Sequence, residues 1–137
     1  MTRSLGLDIG DKRIGVALSD PNGILASPFT IINCKDDVAD VEAITDIISQ
    51  QQVKKVIVGL PRLMDGSLGK QAEKVQTFTQ KLYSYTEVPV EFRDERLTTV
   101  SAKRLMRATN TQKARRKAKP DAIAAALILQ GYLDEKL

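Results

Sequence analysis

Three acids, Asp8, Glu95 and Asp121, are the residues of this 137-residue chain whose types and settings could do chemistry. Asp8 interrupts "LGLDIG", an alternating stretch that reads as a buried strand. Asp is depleted from strands, and an ionised carboxylate taken out of water is costly unless something pairs with it. Alternation sets Leu5, Leu7 and Ile9 on one face of that strand and Gly6, Asp8 and Gly10 on the other, which is bare except for the acid. Glu95 lies just beyond a later strand, "VPVEFRDE", at the strand end where open sheets with parallel strands gather ligands. Asp121 opens the last helix on a stripe with Ala124, Ala125 and Ile128, and two alanines would let that helix lie close to a sheet. If it crosses the bare face of the first strand, Asp121 is delivered toward Asp8.

Carboxylates that converge in a partly buried pocket repel one another unless a divalent cation neutralises them. Oxygen ligands alone point to Mg²⁺ or Mn²⁺, and a water on such an ion can attack a phosphate in line. The chain has no histidine, which excludes Ser-His and Cys-His nucleophile pairs and His-ligated zinc. Taken singly, each acid has a plainer use. Asp8 can be a hydrogen-bonded structural residue, Glu95 can cap a helix or pair with Arg93 or Arg96, and Asp121 suits the positive end of a helix. It is the trio that carries the chemical reading.

Charge supplies a partner for it. There are 21 Lys and Arg against 17 Asp and Glu, for a net charge of +4. From Arg96 to Pro120 there is no acid, while Lys103, Arg104, Arg107, Lys113, Arg115, Arg116, Lys117 and Lys119 contribute eight cations. A basic segment immediately before Asp121 would hold a polyanion over the acids. Aromatic residues make up only 4% of the chain, which favours recognition of shape and backbone over base stacking.

The elements that must position these residues read as a mixed sheet with helices. "LGLDIG" and "RIGVALSD" form a hairpin about Gly10-Asp11, and "ILASPFTIIN" returns as a third strand, with Pro28 marking an edge or a bulge. A helix capped by Asp36 or Asp37 follows, then the buried-strand run "VKKVIVGLP", a helix over about 70–85, and the strand before Glu95. Another helix is expected from Thr98 or Thr99 to about Ala108, and residues 109–119 read as a mobile basic loop. Pro120 suits the first turn of the final helix. "MDGSLGK" imitates a phosphate-binding loop, but Met64 and Gln71 stand where a glycine and a Ser or Thr are required, so Gly66 and Gly69 read as turn residues.

The length suits a single domain spanning 1–137. One cysteine, Cys34, excludes an internal disulfide and fits a small apolar role in a reducing compartment. The run "AIAAALIL" is too short to cross a bilayer, and the expectation is a cytoplasmic protein with no membrane partner.

Together, "LGLDIGDKRIGVALSD", "VGLPRLMDGSLGKQAEKVQTF", "DERLTT" and "DAIAAALILQGYLD" resemble the YqgF-type nuclease family, from about Leu5 to Asp134. That family is described as Holliday-junction resolvases and as nucleases of the small-subunit (pre-16S) rRNA precursor. The resemblance implies an α/β, ribonuclease H-like fold: a five-stranded mixed sheet, antiparallel meander plus parallel strands, flanked by helices on both faces. It also implies Mg²⁺-dependent hydrolysis of phosphodiester bonds in precursor rRNA or branched DNA. Asp8, Glu95 and Asp121 match the family's catalytic, metal-holding acids, and Arg13 and Arg96 match motif arginines beside phosphate. Related nucleases often use four acids, for which Asp94 and Asp20 are the candidates here, and Pro120 stands where the pattern has an aliphatic residue. Cutting a symmetric junction would call for a homodimer, whereas trimming an RNA end would not.

Overall fold

A computed structural model describes residues 2–63, 65–94 and 120–136. Among these residues the chain runs β1 (Arg3–Ile9), β2 (Arg13–Ser19), β3 (Ala26–Asn33), α1 (Asp37–Gln50), β4 (Val53–Leu60), α2 (Lys70–Tyr83), β5 (Val90–Asp94) and α3 (Pro120–Glu135). The strands form one sheet in the order β3-β2-β1-β4-β5. β1, β2 and β3 pair antiparallel, while β4 is parallel to both β1 and β5.

The hairpin turn is longer than the Gly10-Asp11 pair suggests. Three residues, 10–12, join β1 to β2, and Gly10 N–H donates to the Arg13 carbonyl at 2.9 Å. That loop sets the register in which Asp8 lies opposite Gly15. The expected disturbance at Pro28 is a bulge: Val16 pairs with Thr30 and Ala17 with Pro28, which leaves Phe29 as the extra residue on an edge strand. Asp36 is the cap of α1, its carboxylate accepting from Ala39 N–H at 2.8 Å.

Each face of the sheet has its own core. On one, Leu5, Leu7, Ile14, Val16, Val56 and Val58 pack against Val41 and Ile44 of α1 and Val75 and Leu82 of α2. On the other, Ala17, Ala26 and Ile57 lie under Ala125, Ala126, Leu129 and Leu133 of α3. The buried stripe of α3 is rotated from the expected one. Ala122, Ala125, Ala126 and Leu129 are its centre, whereas Ala124 is only half-buried and Asp121 lies at its flank. The expected helix at 98–108 and the basic loop at 109–119 lie outside the described residues.

Candidate active site

Asp8 projects from β1 into a slot between glycines. Gly15 is its cross-strand partner on β2. On the other side, Leu7 pairs with Val58 of β4, and the residue that follows Val58 is Gly59. Directly paired residues share a face, so the sheet around this carboxylate has no side-chain bulk to either side.

α3 closes over that bare surface at backbone contact distance. A Cβ on Gly15 would stand 1.9 Å from the main-chain oxygen of Asp121, and one on Gly6 would stand 2.8 Å from the oxygen of Ala125 and from Leu129 Cβ. Both are far inside van der Waals contact, so only glycine permits the helix to sit here. The approach seats the main chain of Asp121, in the first turn of α3, on the cross-strand partner of Asp8. Arg13, two residues before Gly15 and on the same face of β2, reaches the same point. Its Nε lies 2.8 Å from Asp121 Oδ2, with the guanidinium more than half exposed and the carboxylate about one-third exposed.

Glu95, Arg96, Lys103, Arg104, Arg107, Lys113, Arg115, Arg116, Lys117 and Lys119 lie outside the described residues. The strand leading to Glu95 is described as far as Asp94, at the same sheet edge as the end of β1. Neither candidate for a fourth acid joins Asp8. Asp94 pairs with Leu60, whose side chain belongs to the opposite core, and the Arg62 guanidinium stands 3.6 Å from it. Asp20 follows β2 at the far end of the sheet, where it accepts from Ile24 and Leu25 N–H at 2.7 and 3.0 Å. Partial burial works against the charge of Asp20, but these backbone donors outweigh it and lower its pKa. Asp20 is a loop-ordering residue.

The opposite face carries a cleft of about 670 Å³ lined in part by Ile9, Asp11, Cys34, Asp40, Lys74 and Phe78. Four of its five acids are committed elsewhere: Asp36 caps α1, Asp40 accepts from Lys35 N–H, Asp11 pairs with Lys74 at 2.9 Å, and Asp37 pairs with Lys81; the fifth is Glu73 in the first turn of α2. Burial raises the pKa of Cys34, and Asp40 beside it adds to the effect, so the thiol stays protonated as a half-buried packing residue.

Among the described residues no three Asp, Glu, His or Cys form a metal-binding group, and two of the predicted trio, Asp8 and Asp121, fall within them. These two suit a hard divalent cation. They are carboxylates, the hard oxygen donors such an ion takes, carried by a strand and by the helix turn seated beside it. Sequence reasoning missed Gly15 and Gly59. The period of "RIGV" together with a three-residue turn would have placed Gly15, whereas Gly59 depends on strand order. Arg62 was also missed, because its pairing with Asp94 requires β4 and β5 to be neighbours.

A five-stranded sheet in this order, with helices on both faces and an acid on the central strand, defines a ribonuclease H-like protein. The solved structures bear this out at the level of the fold. T. thermophilus RuvC in complex with Holliday junction substrate matches with a TM-score of 0.69, at 14% identity, over 99% of this chain and 96% of that one. The yeast mitochondrial Holliday junction resolvase Ydc2 matches with a TM-score of 0.63, at 12% identity, over 96% and 78%. Within that class the chain belongs to the RuvX family, described as Holliday junction resolvase, whose match spans residues 2–135. A protein of Caldanaerobacter subterraneus subsp. tengcongensis named "Putative pre-16S rRNA nuclease" is 48% identical, covering 98% of this chain and 97% of its own length. One of the same name from Moorella thermoacetica is 47% identical over 96% and 94%.

Proposed function

We propose that this chain is a nuclease that hydrolyses phosphodiester bonds with a divalent cation, Mg²⁺ or Mn²⁺, held by Asp8, Asp121 and Glu95, and that it acts on the end of the small-subunit rRNA precursor. The observation that carries the reading is the seating of the Asp121 main chain on Gly15, the cross-strand partner of Asp8. The curated relatives, alike over nearly their whole length, favour the RNA substrate. Branched DNA is the second reading, favoured by the description of the family.

Asp8 is the principal ligand, fixed by its strand. Asp121 is a second ligand or the base that takes a proton from water, and Glu95 is a ligand or orients that water. The cation, when bound, lowers the pKa of a coordinated water and stabilises charge on the phosphate. Arg13 and Arg96 hold the phosphate beside the acids, and the cations from Lys103 to Lys119 hold the flanking backbone. The cytoplasm is the compartment that an rRNA precursor requires. Among the described residues no helix is long and apolar enough to cross a membrane. Cutting a symmetric junction would require a homodimer.

The test is cleavage of an RNA carrying the precursor end and of a four-way DNA junction, with Mg²⁺ and mapped product ends, by the wild type and by Asp8→Asn. The substitution should slow cleavage by about a thousandfold, the scale of losing a metal-stabilised transition state. Equal rates would remove Asp8 from the mechanism. Cleavage of the junction alone would move the substrate to DNA, and binding without cleavage by either protein would make the chain a nucleic-acid-binding module.

A further inference from the structure

We propose that Arg13 is the resident counter-ion of the acidic site: it holds Asp121 while the cation is absent and passes to a phosphate of the nucleic acid when the cation binds. The inference rests on Asp8 and Asp121 being cation ligands, and it adds that metal and nucleic acid bind cooperatively through one side chain.

The main chains that carry the contact are pinned. Gly10 N–H donates to the carbonyl of Arg13, and Cys34 N–H donates to that of Lys12, both at 2.9 Å, so the start of β2 is held from two directions. The first turn of α3 rests directly on Gly15. Both main chains are held by these contacts, so the side chains are the parts freest to change partners. The Arg13 side chain is 57% exposed, and the contact to Asp121 runs through Nε. An exposed pair of this kind is weak and screened by salt, so it can be exchanged.

The charges supply the reason for exchange. Asp121 stands by the residue opposite Asp8, and the guanidinium offsets the mutual repulsion of the two carboxylates. A divalent cation does the same more strongly, and it is repelled by a guanidinium at 2.8 Å from one of its ligands. Arg13 therefore opposes the cation until something else takes the guanidinium. Phosphate does so well, because the planar fork fits its oxygens. By linkage, a nucleic acid that draws Arg13 away raises the affinity for the cation, and the cation raises the affinity for nucleic acid by the same factor. The site would then be charged with metal chiefly when a substrate is present.

The test is Mn²⁺ binding, followed by electron paramagnetic resonance without nucleic acid, on the full chain and on Arg13→Gln, Arg13→Lys and Asp8→Asn. Arg13→Gln should bind Mn²⁺ about five- to tenfold more tightly than the wild type, and Arg13→Lys, which keeps the charge, should stay near the wild type. In cleavage assays Arg13→Gln should raise KM for the nucleic acid. Tighter metal and weaker substrate in one variant is a pairing that a merely structural role would not produce. Equal or weaker Mn²⁺ binding by Arg13→Gln, with Asp8→Asn losing it, would overturn the exchange and leave the nuclease reading standing. Mn²⁺ affinity unchanged in Asp8→Asn would bring down the metal site itself, and the exchange with it.

Discussion

The two faces of the sheet are built from the same strands and solve opposite problems. Toward α1 and α2, β1 and β2 present Leu5, Leu7, Ile14 and Val16, branched and fully buried or nearly so. Toward α3, the same strands present Gly6, Asp8, Gly15 and Ala17, and the helix answers with Ala122, Ala125 and Ala126. Volume stabilises the first face, since burying each branched side chain contributes about 1.5–3 kcal/mol. The second gives up volume so that a helix backbone can touch a strand backbone and bring a carboxylate with it. Alternation along a strand makes the division possible, because Leu7 can anchor the sheet while its neighbour Asp8 stays available on the reverse side.

The contrast yields paired expectations. Ile44→Ala, in the core under α1, should lower stability by about 2–5 kcal/mol in denaturant titration, while the turnover of folded protein stays close to the wild-type value. Gly15→Ala should cost at least as much stability, about 3 kcal/mol or more, and should also cut the turnover of the protein that does fold about a hundredfold, because its Cβ would stand 1.9 Å from the Asp121 main-chain oxygen and displace the first turn of α3. A fully active Gly15→Ala protein would break the contrast. Neutralising Arg115, Arg116 and Lys117 should flatten the slope of log affinity against log salt by about 2 to 3 for duplex DNA, measured by fluorescence anisotropy. An unchanged slope would show that the nucleic acid does not lie across that segment.

The smallest effect belongs to Asp20, an acid at the wrong end of the sheet for chemistry. Its pKa is lowered in the fold, so it stabilises the protein above its unfolded pKa of about 3.9, and that contribution fades as pH falls through the lowered value. Asp20→Asn should cost about 0.5–1 kcal/mol at pH 7 after allowance for solvent screening, and the difference should vanish in melts near pH 2, with cleavage rates unaffected.

Local patterns in the sequence carried much of the fold. Alternation located β1 and β2, the acid before an apolar run located the cap of α1, and Pro28 marked the bulge on β3. Pro120 marked the start of α3, and the bare face of β1 foretold where that helix would lie. The misread features were those that depend on distant pairing. The rotation of the α3 stripe follows from the requirement that Ala125 and Leu129 lie over Gly6, which no periodicity within the helix reveals. Asp20 and Asp94 could stand as fourth acids only while strand direction and facing were unknown. Of the site itself, what was legible is that the first turn of the last helix would lie on the bare face of β1 and β2 beside Asp8. The guanidinium of Arg13 on Asp121 was not, because it depends on the register set by a three-residue turn.

The bulge in β3 bears on how readily the outer edge of the sheet could accept another strand. Proline has no N–H to offer an incoming strand, and Phe29, the unmatched residue beside it, spoils the spacing that a regular ladder needs. The outer rim of β3 is therefore a poor template for polymerisation, although Phe29 is a large apolar side chain 43% exposed there. Restoring the ladder, by deleting Phe29 and replacing Pro28 with valine, would straighten that rim into an adhesive one, and the altered protein would be expected to form fibrils more readily than the native chain.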